Sequence, residues 1–398
     1  MPGLPTEAEN NVRRFVKTMV QVLLLVVLVP LGVVLVWVLQ SPSLENLAAH
    51  AARGADSAAL LELVNRSGEQ PGAEYQLRDL LRRDAGALRA LVSLAASHEA
   101  AMHYLISIAR TQPDSLVPLA DYEMSYPFAL SLLQHMDAKG MPRLRAQAAH
   151  GANAQFMMGV AYEQGCHVPQ SWLLAAEWYG RALAQGYSPA APRYSFVAYN
   201  AAMETENAEA AARLFRAAAE HNHPAAQCAL GVCYSTGKGV PVDFNAAFQW
   251  YMKSAEQEYS DAQYNLGWCY LHGEGVKADS EQAVAWFTKA AFQGDALAQY
   301  YVGRAYELGE GVDCNYETAI YWYRCAVAQE NDSAQCALGH CYAQGRGVPQ
   351  DLTRAVYMYK HAAAQGNKEA QCALECYRKR DGGAARVDCE KNCSDRKS

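Results

Sequence analysis

Ala262-Gln-Tyr-Asn-Leu-Gly-Trp-Cys-Tyr-Leu-His-Gly-Glu-Gly-Val-Lys-Ala-Asp-Ser-Glu-Gln-Ala-Val-Ala-Trp-Phe-Thr-Lys-Ala-Ala-Phe-Gln-Gly-Asp295 decides the fold, because the chain repeats this stretch at a fixed spacing. Ala154, Ala190, Ala226, Ala262, Ala298, Ala334 and Ala370 stand 36 residues apart. Five units carry Gly five positions on (Gly159, Gly231, Gly267, Gly303, Gly339) and Tyr three positions later (Tyr162, Tyr234, Tyr270, Tyr306, Tyr342). Residues four and eight beyond the starting Ala share one helical face. Each unit therefore opens with a helix A that buries Met158, Leu230, Leu266, Val302 or Leu338 beside a tyrosine, and the Gly lets a neighbouring helix come close.

A Gly-x-Gly-Val loop follows in four units, as at Gly237–Val240 and Gly273–Val276. It lies between helices, with no preceding strand and no Lys-Ser/Thr ending, so it reads as a turn and not as a phosphate cradle. Seventeen positions after each starting Ala comes Ser171, Asn207, Asp243, Asp279, Asn315 or Asp351. These side chains accept hydrogen bonds from the free amides at a helix start, so helix B begins there. Its packing stripe is Ala175, Ala211, Ala247, Ala283, Ala319 and Ala355, each followed four residues on by Tyr179, Phe215, Tyr251, Phe287, Tyr323 or Tyr359. The unit 190–225 lacks the Gly, the Tyr and the loop but keeps its cap and stripe in phase, and reads as a decayed repeat.

The fold class expected is all-α: an α-solenoid of 36-residue helix-turn-helix repeats over 154–378, with units 154–189, 190–225 (degenerate), 226–261, 262–297, 298–333 and 334–369, and a capping helix at 370–378. Residues 41–153 have helix-forming segments at 43–65, 74–110 and 115–138, expected as atypical hairpins capping the apolar end of the stack. A polar, Cys-containing tail occupies 379–398.

The units resemble the Sel-1-like repeat, a relative of the tetratricopeptide repeat with a longer inter-helix loop. The resemblance covers slightly over half the chain and implies a right-handed superhelix that gathers other proteins, a scaffold or adaptor without catalysis or cofactor. By analogy with tetratricopeptide stacking, the groove is lined two, six, nine and ten positions after the starting Ala, by Tyr264, Trp268, Leu271, His272, Tyr300, Arg304, Glu307, Leu308 and His340. Aromatic and Arg side chains are the types that anchor partners.

Met19–Leu39 is a run of 21 uncharged residues rich in Leu and Val, enough to cross a bilayer core of about 30 Å as one transmembrane helix. Arg13, Arg14 and Lys17 precede it, whereas Arg53 is the single Lys or Arg in the twenty residues after it. Basic flanks stay cytoplasmic. The expectation is a cytoplasmic tail at 1–18, a single-pass anchor at 19–39 in the cell (inner) membrane and an extracytoplasmic, periplasmic body. A cytoplasm-facing scaffold is the alternative topology. The net charge of −7 and the absence of a basic face exclude nucleic acid as a partner.

The chain has twelve cysteines. Cys233, Cys269 and Cys341 share one repeat slot with Ala161 and Ala305, a place for small buried side chains, so they are expected as packed thiols. Cys325 and Cys336 flank the turn at Asn331 about equally and form the disulfide candidate, while Cys372/Cys376 and Cys389/Cys393 are a twin pair that would staple the C-terminal end. Cysteine-rich members of the resembled family bridge every hairpin and carry a β-lactamase name, which implies a cell-wall hydrolase as an alternative function. This chain departs from that pattern because its other units lack the partner cysteine. No metal is expected: His98 and His103 are five residues apart, off the shared face that a helix gives to i and i+4, and no Cys-x-x-Cys occurs.

Overall fold

The computed structural model of the chain describes residues 44–52, 57–83, 85–95, 98–111, 126–136 and 140–381. The expected tail at 1–18 and anchor at 19–39 lie outside the described residues, as do Cys389 and Cys393. Among the described residues no helix is long and apolar enough to cross a membrane. All the described elements are helical, and the chain forms two compact units: the part up to Ala161 with Cys166–Val168, and Tyr162–Gly165 with the part from Pro169.

The first unit holds α1 (Leu44–Ala52), α2 (Ser57–Ser67), α3 (Pro71–Arg83), α4 (Ala85–Ala95), α5 (Glu99–Thr111), α6 (Tyr126–Gln134), α7 (Gly140–Gln147) and most of α8 (Ala152–Gln164). Leu60, Leu63, Leu77, Leu91 and Leu105 are fully buried, one stripe from each of four helices. The segment read as helical over 74–110 divides among α3, α4 and α5, and 43–65 divides between α1 and α2. Pro71 supplies one of the breaks: it has no amide hydrogen and sits at the first position of α3, where none is needed.

The second unit continues with α9 (Trp172–Ala184), a short 3-10 turn at Ser188–Ala190, α10 (Ala191–Glu204), α11 (Ala208–Glu220), α12 (Pro224–Thr236), α13 (Phe244–Ala255), α14 (Ser260–His272), α15 (Ser280–Phe292), α16 (Ala296–Leu308), α17 (Tyr316–Val327), α18 (Asp332–Gln344), α19 (Leu352–Ala364) and α20 (Lys368–Asp381). Even-numbered helices are A and odd-numbered ones B; from α9 onward each packs on the next in sequence. All six expected caps form at helix B, the side chain accepting from the backbone N–H three residues on at 2.9–3.3 Å. Outside the decayed unit, helix A begins two residues before the repeated Ala, and Asp295, Asn331 and Asn367 cap theirs, accepting from Ala298, Ala334 and Ala370 at 2.7, 2.8 and 2.9 Å.

The close approach expected at the helix A glycine is made by helix B of the same hairpin. A Cβ on Gly303 would lie 2.6 Å from the Tyr323 ring, inside van der Waals contact, so only hydrogen fits there. The second loop glycine has a different duty. Gly275 has φ +71, and a Cβ on it would meet the Phe244 carbonyl at the start of the preceding B helix. The loop of one repeat is thereby pressed onto the repeat before it.

A line of glutamines ties consecutive repeats. Gln227, Gln263, Gln299 and Gln335 directly follow the repeated Ala and are buried. The Gln299 Nε2 donates to the Ala291 carbonyl at the end of the preceding helix B (3.2 Å), and its Oε1 accepts from Gln329 Nε2 at the end of its own helix B (3.0 Å). The second of these contacts recurs as Gln257 to Gln227, Gln293 to Gln263 and Gln365 to Gln335, at 2.7–3.1 Å. Buried amides demand partners, and here the partners lie on three successive helices. The decayed unit has Ala191 in this slot and packs with rings instead: Tyr194 edge-on to His221 at 5.2 Å, and Tyr199 stacked on His223 at 4.9 Å.

Candidate partner-binding wall

Positions two, three, six, nine and ten of helix A lie partly against the rings of its own helix B and partly toward the next helix A. On α14 and α16 these side chains join into one aromatic array. Trp268 meets Tyr301 edge-on at 5.7 Å and lies 4.2 Å from the His272 ring. Tyr264 contacts Tyr301 at 6.0 Å and Phe287 at 5.6 Å, and Phe287 stacks on Tyr301 at 5.1 Å. Tyr300 continues the array, 5.2 Å from Tyr301 and 6.1 Å from Tyr323. Edge-on and offset rings at these distances add to simple burial, so the array is rigid as well as apolar. Burial raises the hydroxyl pKa of Tyr264, Tyr300 (to about 12) and Tyr301, so all three stay neutral donors and acceptors at physiological pH.

The predicted groove residues therefore sort by exposure. His272, Arg304 and Leu308 are exposed, Leu308 by 51%. Tyr264, Trp268, Leu271, Tyr300, Glu307 and His340 are half-buried. Tyr264 and Trp268 reach Tyr301 on the next A helix, Tyr300 packs against the core of the following repeat, and Leu271 packs with Phe287 and Val302. Glu307 serves the hairpin: its Oε2 accepts from the Tyr323 hydroxyl at 2.6 Å, and Arg346 lies 3.5 Å from its other oxygen. Glu163 does the same for Tyr179 (2.7 Å) and is paired with Arg193. Where position nine is Leu271 the facing ring is Phe287, which has no hydroxyl to satisfy. His340 turns its Nδ1 to the Tyr359 hydroxyl at 2.9 Å.

Tyr301 joins the array together but escapes the positions drawn from tetratricopeptide stacking. Its signal in the sequence is that the same slot holds Ala229, Asn265 and Ala337 in neighbouring units. A cleft beside it, lined by Leu271, Phe287, Arg304 and Ala305, has about 20 Å³ of free volume, room for about one water.

The expected bridge between Cys325 and Cys336 is not formed: neither sulfur is in a disulfide. Ala326, fully buried, takes the place on α17 that faces inward, and Cys325 one residue earlier is turned about 100° around the helix. Cys233, Cys269 and Cys341 are buried and free, and burial pushes the Cys269 and Cys341 thiols up to about 12. Cys372 is the one disulfide-bonded cysteine among the described residues, and Cys376 is free.

Stacked antiparallel helix pairs tied hairpin to hairpin, with one helix of each pair lining a common wall, define an α-solenoid repeat protein. The Sel1 repeat family model matches residues 152–187, 198–223, 224–259, 260–295, 296–331 and 332–367, and the chain belongs to that family. The shortest match, 198–223, falls on the decayed unit. Among solved structures, c5321, a protective antigen of uropathogenic Escherichia coli with an SLR fold, is 31% identical over 62% of this chain, with a TM-score of 0.48; the match spans 53% of that protein. A Sel1 repeat protein from Oxalobacter formigenes is 27% identical over 86% of this chain and 92% of its own, with a TM-score of 0.47. Immunity protein Pa5087 from Pseudomonas aeruginosa is 21% identical over 54% and 81%, with a TM-score of 0.30. A comparison with curated proteins gives no match. Sel1 repeat proteins are in general protein-interaction scaffolds.

Proposed function

We propose that the chain is a membrane-anchored scaffold that seats a partner protein on the A-helix wall from Tyr264 to His340. The observation that carries this reading is the rigid aromatic array of Tyr264, Trp268, Tyr301 and Tyr300, edged by exposed His272, Arg304 and Leu308. A preordered apolar surface with a cation at its rim binds at low entropic cost and supplies the residue types that dominate interface energies. The cleft beside the array is too small for a cell-wall fragment, since ligand pockets run to about 300 Å³ or more, so at this wall the array offers a surface and not a substrate pocket.

Anchoring rests on the uncharged run Met19–Leu39, with Arg13, Arg14 and Lys17 holding the N-terminus in the cytoplasm and leaving the repeats outside it. Alkaline phosphatase fused to the C-terminus is then active. An inactive phosphatase beside an active cytoplasmic reporter reverses the topology.

The wall is tested with Arg304→Glu combined with Leu308→Asp. Both side chains are exposed, so helicity and melting temperature stay at wild-type values. Cross-linking in native membranes from a photoreactive residue at position 272 should yield discrete adducts that the double variant loses. An unchanged adduct pattern in the folded double variant removes the wall from the function.

A further inference from the structure

On α18 the slots that hold Tyr300 and Arg304 one repeat earlier are taken by Cys336 and His340, and the final helix α20 brings Glu369 beside them. Cys336 and His340 are four residues apart on one face of α18. The Cys336 Sγ lies 3.6 Å from His340 Nε2, which lies 3.5 Å from a Glu369 carboxylate oxygen. All three donor atoms fall within 4.8 Å of one another. We propose that Cys336, His340 and Glu369 form a binding site for a divalent transition-metal ion, zinc being the ion that the donors fit.

The distances carry the argument. With Zn–S of about 2.3 Å and Zn–N and Zn–O of about 2.0–2.2 Å, a tetrahedral site places sulfur about 3.6 Å from nitrogen and nitrogen about 3.4 Å from oxygen. The first two edges already have these lengths. The remaining edge, sulfur to oxygen, closes through the Glu369 side chain, which is 48% exposed and turns about freely rotating bonds.

A second feature belongs to metal sites. A ligating imidazole is normally held by a hydrogen bond at its other nitrogen, and the Tyr359 hydroxyl lies 2.9 Å from His340 Nδ1. That contact leaves Nε2, the atom facing Cys336 and Glu369, as the donor. The thiol, imidazole and carboxylate set suits zinc and its neighbours in the transition series and not the oxygen-seeking calcium or magnesium. Cys336 binds as thiolate, its proton passing to solvent, and the ion joins the last complete repeat to the terminal helix. Three protein ligands leave the fourth position to water.

The full chain, purified in detergent, stripped with chelator and kept under inert gas, is titrated with Co²⁺ alone. One equivalent should bring up intense visible bands of tetrahedral cobalt and a thiolate-to-cobalt charge-transfer band, both abolished by Zn²⁺. Cys336→Ser should lose the charge-transfer band. Glu369→Gln, at an exposed position, should bind cobalt at least about tenfold more weakly, the loss typical of removing even an outer-shell partner. Far-UV circular dichroism checks that each variant is folded; if Cys336→Ser or a His340→Gln variant unfolds, Glu369→Gln alone decides. The proposal fails if the wild type gives no thiolate band, if the band survives Cys336→Ser and so belongs to another thiol, or if Glu369→Gln binds cobalt as tightly as wild type.

Discussion

Replacing Glu307 by Leu and Tyr323 by Phe together rebuilds, in one repeat, the Leu271/Phe287 pair that the preceding repeat already has. Tyr323 is fully buried, and its hydroxyl donates to Glu307 at 2.6 Å. Burial pushes its pKa far above the phenolic value, with the Glu307 charge adding to the shift, so the hydroxyl keeps its proton and requires an acceptor. Glu307→Leu alone strands that hydroxyl, at a cost of about 1–3 kcal/mol. Tyr323→Phe alone leaves a carboxylate, 13% exposed, with Arg346 at 3.5 Å as its remaining partner, a loss of roughly 1 kcal/mol. The double variant has neither defect and should lie closer to wild type than Glu307→Leu. The coupling energy should be about 1–2 kcal/mol, inside the range for residues in contact. Urea unfolding followed by circular dichroism on all four proteins measures the cycle. If the two single losses add to within about 0.5 kcal/mol, the pairing of position nine with the helix B ring is incidental and the reasoning fails.

Two further outcomes follow from the ties between repeats. Gln299→Leu removes two hydrogen bonds, to the Ala291 carbonyl and from Gln329 Nε2, while those two groups keep their bonds to Gly294, so it should cost about 1–2 kcal/mol in the same unfolding assay; Gln371→Leu, exposed on the terminal helix, should cost far less. Asp295 has its pKa raised from 3.8 chiefly by burial. The folded state then holds this proton more tightly than the unfolded state, so the stability it lends is present below pH 3.8 and is lost as pH rises through the folded pKa. Asp295→Asn keeps the cap, as Asn331 does one repeat on. Its melting temperature should exceed wild type at pH 7 and match it near pH 3, and a lower value at pH 7 contradicts the burial argument.

The period, the helix B caps and both packing stripes were readable from the sequence because they are local: a cap reaches three residues and a helical stripe four. The glutamine line is equally periodic in the sequence, as one Gln after every repeated Ala but Ala190 and, within the complete units, another thirty residues later. It passed unread because Gln is ordinarily a surface residue and its bonding pattern spans three helices. The groove positions were legible by register but not by role. How closely α14 approaches α16 decides whether Trp268 faces a partner or Tyr301, and a distance between two A helices is not written in the spacing of residues along either one. Cys325 failed as a disulfide half for a simpler reason. Distance from a turn says how far along a helix a residue lies, not which way it points. The N-terminal unit has no period to check against, so its short helices ran together in the sequence reading.

From α10 onward the amide line runs from Gln227 to Gln371; its first link reaches back to the Ala219 carbonyl on α11, and α10 supplies no glutamine to it. In an array whose stability is a sum of nearest-neighbour links, a run of identical links behaves as one stiff block. A junction of another kind is where such a block bends or parts. The helices from α11 to α20 would then resist bending together, and changes of curvature on binding would gather at α10, which packs with rings where the other A helices have the buried Gln.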